Sequence, residues 1–142
     1  MRNLLPLLLA SLAAAISIAG AAGFMTSQAA NGSAVWPLPG LVLLDWAIIG
    51  FIAPLVVYLE ERSTGRHALD ILWGLSGGLL PMVYLGAFSI GLFVLLSALP
   101  LLTCCAVLTL SRKQSWLRGL GFLATGLLLN LVVLLVFIAL GR

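Results

Sequence analysis

Charge is scarce in this sequence: seven Lys or Arg and four Asp or Glu among 142 residues, 8% of the chain. A soluble domain carries about 25% charged residues, and so few charges cannot cover a water-facing surface of this size. That excludes a soluble enzyme or binding module, and the mean hydropathy of +1.24 agrees. Histidine occurs once, as His67, and lysine once, as Lys113. Haem in a bundle commonly takes histidine from within the spans, and a retinal Schiff base needs a buried lysine; both residues lie in loops between apolar runs. Zinc chemistry needs clustered Cys, His or carboxylates, and none converge by sequence. No Ser–His or Cys–His pairing falls at membrane depth, and no glycine loop has the phosphate-cradling form. Neither a cofactor, a metal nor a catalytic role is expected, although contact with a quinone or lipid needs only a few polar groups.

The net charge of +3 is carried by residues in short loops, where Lys and Arg commonly flank membrane spans. No basic stripe with interleaved aromatics exists, so nucleic acid is not an expected partner. The two cysteines, Cys104 and Cys105, are adjacent inside an apolar run and make no disulfide framework. They read as small packing residues, with a soft metal or palmitoylation as the alternatives.

Long apolar runs are what the sequence has instead. A span needs about 20 largely apolar residues, because a helix rises about 1.5 Å per residue through roughly 30 Å of hydrocarbon. The runs are continuous and rich in Leu and Ala, unlike the alternation of barrel strands. The expected fold is an all-α integral membrane protein, a single transmembrane helical domain with spans near 4–24, 41–59, 71–86, 90–110 and 120–140. The third and fourth come from one uncharged stretch, Ile71 to Leu110, long enough to cross twice, with a turn among Gly86, Ser89 and Gly91. The alternative is four spans, with an interfacial segment near 70–80. Arg2, an apolar core and the small residues Ala19 to Gly23 resemble a secretory signal. The run is longer than a signal core of about 7–15 residues, so an uncleaved first helix is expected.

Five spans put Arg2, Arg62, Arg66, Arg112, Lys113 and Arg118 on one side and Arg142 alone on the other. The positive-inside rule then places the N-terminus in the cytoplasm and the C-terminus outside, in the cell's plasma membrane. The uncharged segment Thr26 to Gly40, with Asn31-Gly32, Pro37 and Pro39, reads as an outside loop. Asn31-Gly32-Ser33 also fits a glycosylation sequon. Trp36, Trp46, Tyr58, Trp73 and Trp116 flank the spans, as an aromatic belt would. Asp70 stands just before the third span, where it can cap free N–H groups. His67 reads as a solvated or ion-paired loop residue.

Asp45 is the only acid inside an apolar run. A carboxylate there is costly and in general hints at an ion path, but about one turn beyond Gly40 it can also reach the interface or pack. Asn130, near the middle of the last span, shares a face with Gly119, Phe122 and Gly126. Helix packing and a ligand or ion site are its two readings. Gly74 with Gly78, Ala87 with Gly91, and Ser11, Ala15 and Ala19 repeat the small-residue spacing through which membrane helices approach. Pro54, Pro81 and Pro100 each free a carbonyl one turn back, at Gly50, Gly77 and Leu96.

The leading expectation is a non-catalytic accessory or assembly subunit, its partners the lipid bilayer and other membrane subunits. Electron-transfer complexes of respiratory or photosynthetic chains are natural hosts. The alternative is a small oligomeric transporter or channel using Asp45 and Asn130.

Overall fold

The computed structural model describes residues 4–32, 38–62, 67–86 and 90–140. They form five helices: α1 (Leu4–Ala30), α2 (Leu38–Arg62), α3 (His67–Leu85), α4 (Gly91–Ser111) and α5 (Trp116–Leu140). Each is long and apolar enough to cross a membrane, and the described residues contain no strand. The chain is a multi-pass helical bundle, and the four-span alternative does not hold. α3 gains His67–Asp70 at its start and reaches 19 residues, which relieves the shortness of an arm beginning at Ile71.

The α3–α4 hairpin turns where the glycines cluster. Gly86 N–H donates to Met82 O at 2.8 Å, and Val94 N–H to Ile90 O at 3.0 Å. A Cβ on Gly86 would lie 2.9 Å from Gly91 N, and one on Gly91 would lie 2.7 Å from Gly86 C. Only glycine lets the two strands of backbone pass so closely. Gly91 therefore closes this turn, and its expected partner Ala87 lies outside the described residues, as do Arg2, Ser33, Trp36, Pro37, Arg66, Ser89 and Arg142.

The loop between the first two helices is shorter than expected, because α1 runs on to Ala30. Thr26 does not break the helix: its hydroxyl donates back to Gly23 O at 2.9 Å, a bond a helical threonine makes within its own turn. The stop comes at Asn31-Gly32, where Gly32 takes φ +67°, the left-handed value that commonly ends a helix. α4 ends similarly but with a lysine at the left-handed position: Lys113 has φ 51°. Its N–H donates to Leu110 O at 3.3 Å and that of Gln114 to Thr109 O at 3.1 Å, the paired bonds of a Schellman closure.

α1, α2, α3 and α4 pack in a ring, each against the next and α4 back against α1, while α5 lies outside it against α3 and brushes α2. α3 buries ten residues and α5 only Gly119, Asn130 and Leu134. The ring is filled by side chains, with Trp46, Leu43, Leu69, Leu72, Leu79 and Leu101 among the largest fully buried. Lipid supplies no hydrophobic drive between helices, so close packing and interhelical hydrogen bonds hold such a bundle. Trp46 Nε1 donates to Ser97 Oγ at 2.9 Å, joining α2 to α4. Trp73 Nε1 donates to Thr109 Oγ1 at 3.1 Å, joining α3 to α4. The tryptophan belt is thereby corrected: Trp46 and Trp73 are interior residues whose N–H groups found partners on α4, and Trp116 and Tyr58 stay at the surface. Trp46→Phe removes the donor and also part of the indole from a fully buried site, and is expected to destabilise by about 1–3 kcal/mol, read from the unfolding midpoint in detergent.

Candidate functional site

Two polar constellations stand at different depths of the bundle. The first joins α2 to α5. Asp45, half-buried, turns its carboxylate toward α5, where Asn130 Nδ2 donates to Oδ2 at 2.8 Å. Asn130 is 7% exposed, and its carbonyl oxygen Oδ1 is buried with no partner. Among the described residues no cationic side chain pairs with Asp45, whereas Arg118 and Asp70 form an ion pair. α3 makes room here: a Cβ on Gly78 would sit 3.7 Å from Asn130 Cβ and 3.5 Å from Ile49 Cδ1. The two residues singled out in the sequence for transport are thus hydrogen-bonded to one another.

The glycines around this pair serve α5. A Cβ on Gly126 would run into the carbonyl of Gly74, and one on Gly77 into the backbone of Leu123. A Cβ on Gly119 would meet the Trp73 ring at 2.7 Å. The small-residue strip of α3 therefore meets a helix of this same chain. The strip expected on α1 takes no contact from this chain's own helices: Ser11, Ala15 and Ala19 are exposed, and the buried face is Pro6, Ala10, Ala13, Ala14, Ser17 and Ala21.

Just beyond the Asp45–Asn130 pair, toward the Gly32 end, an apolar cleft of about 420 Å³ opens among α1, α2, α3 and α5. Val42 and Leu134 line it. They lie three residues before Asp45 and four after Asn130, so the cleft continues the same α2–α5 seam by one helical turn. Leu43, Met82 and Ile138 are among its other walls, with Gln28 a polar residue in the lining.

The second constellation was not drawn from the sequence. Asp70 is the fourth residue of α3, 3% exposed, and lies inside the helix rather than ahead of it. Arg118, in the first turns of α5, grips it with both arms of its fork: Nε to Oδ1 at 3.1 Å and Nη2 to Oδ2 at 2.6 Å. Gln114, delivered by the Lys113 turn, adds Nε2 to Oδ1 at 3.3 Å. Trp116 stacks edge-on to Trp73 with centroids 5.9 Å apart. The signal was present in the alternation of five spans, which sets the starts of α3 and α5 at one membrane face.

The cysteines diverge. Cys104 Sγ donates to Pro6 O at 3.4 Å on α1, whereas Cys105 Sγ lies 3.4 Å from Ser76 Oγ on α3. Both are buried and free of disulfide. His67 is the exposed first residue of α3. Among the described residues no three His, Cys, Asp or Glu gather as metal ligands. No protein-family model, curated protein or solved structure matches the chain.

Proposed function

We propose that the chain is a non-catalytic subunit of a larger membrane assembly, inserted with the end bearing Arg112, Lys113 and Arg118 toward the cytoplasm. The observation that carries this reading is the face α1 turns away from the bundle. Ser11, Ala15, Ala19 and Gly23 recur every four residues and are all exposed, and a Cβ on Gly23 would meet nothing within 4 Å. Such spacing lets another helix approach closely, and the chain's own packing leaves it uncovered. The outward flank of α5, with Leu117 81% and Leu129 67% exposed, offers further apolar surface to lipid or a neighbour.

The test is extraction in mild detergent through a tag, followed by a native gel and mass spectrometry of the band. Stoichiometric co-migration with a large complex is expected, and the band names the host, electron-transfer complexes being the first to check. Ala15→Leu with Ala19→Leu, which roughens the outward stripe without touching the core, is expected to release the chain from that complex at unchanged expression. Migration of the wild type as a lone small oligomer would sink the subunit reading.

One observation favours the second reading, a small oligomeric transporter: the hydrogen bond between Asp45 and Asn130. Under that reading Asp45→Asn stops flux while the protein stays folded.

A further inference from the structure

The α2–α5 seam combines three features that call for one ligand chemistry. Asp45 presents a carboxylate within a span and receives one neutral donor, the Asn130 amide. Asn130 directs its N–H to Asp45 and leaves Oδ1 buried without a donor. One turn away the apolar cleft of about 420 Å³ opens on the same seam. A carboxylate with one neutral donor beside a buried amide oxygen with none matches an ammonium, which carries three donors and no acceptor. A carboxylate in a membrane pairs with a cation wherever one can reach it. An alkali ion would need further oxygen ligands, and the cleft one turn away is walled by Val42, Leu43, Met82 and Leu134, which suit hydrocarbon.

Order along the membrane normal selects the shape of the ligand. Asp45 lies seven residues inside α2, about 10 Å from its Leu38 end, and the cleft lies on the shallow side of it. A bilayer lipid has the opposite order, head shallow and tails deep. We propose that the seam binds a compact amphipathic amine, its ammonium between Asp45 and the Asn130 carbonyl oxygen and its apolar body in the cleft. The site rests on neither reading of function above, since binding is measured on the isolated chain whether or not a host is found.

The experiment is calorimetric titration of the purified full chain in detergent with 3-phenylpropylamine, against the uncharged isostere 3-phenylpropan-1-ol. Its three-carbon arm spans about one helical turn. Saturable binding of the amine, at least about tenfold tighter than the alcohol, is expected. Asp45→Asn keeps a side chain able to bond Asn130 and should reduce the amine to the affinity of the alcohol. Leu134→Trp fills the cleft from α5 and should weaken both probes; circular dichroism and gel filtration verify that each variant is folded. Equal amine binding by wild type and Asp45→Asn overturns the proposal. So does amine binding indifferent to Leu134→Trp, or a folded wild type that does not saturate with amine.

Discussion

Gly126→Leu is expected to detach α5 from α3 and to be the most damaging single substitution in the last helix. Even the first carbon of a side chain at Gly126 would run into the backbone of Gly74. Backbone has no rotamer with which to yield, so the two helices must part or tilt. Overpacking of a close contact costs about 1–3 kcal/mol and occasionally more, and this contact belongs at or above the upper end. The loss extends beyond the clash, because the same ridge seats Gly119 on Trp73, Leu123 on Gly77 and Asn130 beside Gly78. Gly121 supplies the control: it is exposed, and a Cβ there meets nothing within 4 Å. Gly121→Ala is expected to be neutral or stabilising, within about 1 kcal/mol, from helix propensity alone. Unfolding in mixed micelles followed by tryptophan fluorescence reads both. A Gly126→Leu protein as stable as the wild type would show that α5 does not dock on α3 through this ridge.

The second large effect belongs to Arg118→Ala. It takes the ion-pair partner from the Asp70 side chain, 4% exposed in the intact protein, and among the described residues leaves Gln114 as its side-chain donor. Removing one partner of a fully buried pair costs about 3–5 kcal/mol. The Arg118 side chain is 47% exposed, so water replaces part of what is lost and about 2 kcal/mol is expected. Arg118→Lys retains the charge and loses the two-pronged fit to the carboxylate, and should fall between. A double-mutant cycle with Asp70→Asn separates the pair from its surroundings: the Arg118→Ala loss should shrink markedly once Asp70 is neutral. An unchanged loss would mean that Arg118 acts through its stacking over Phe122, 5.9 Å from the ring centroid.

Continuous apolar runs made the five helices legible, because a bilayer demands length and hydrocarbon and little else. The hairpin between α3 and α4 was legible for a related reason: basic residues gather on one side only if the chain crosses twice there. Contacts between helices were far less so. In water an apolar face marks the interior, but in lipid both faces are apolar, and the outward Leu117, Leu129 and Leu135 look no different in sequence from the buried Leu69, Leu72 and Leu101. α1 shows the consequence. Ser11, Ala15 and Ala19 have the spacing of a contact, yet Ala10, Ala13, Ala14, Ser17 and Ala21, equally small, are the ones buried. The tryptophans failed as belt markers because a buried indole needs one acceptor, and Ser97 and Thr109 on α4 provided them. Pairs such as Asp45 with Asn130, 85 residues apart, require the helices' rotations, which no local pattern encodes.

Arg118 follows Asp70 by 48 residues, and that interval has a meaning in time. Chains grow at about 5–20 residues per second, so Asp70 is made roughly 2–10 s before the guanidinium that will neutralise it. Over that interval the ring of four helices can enter the bilayer while one of its acids is still unanswered. α5 is then a latch, and its arrival separates a four-helix insertion intermediate from the docked five-helix bundle. A chain stopped before Arg118 would hold the same four helices with an open acidic notch at one end, a form that quality control could distinguish by a single missing charge.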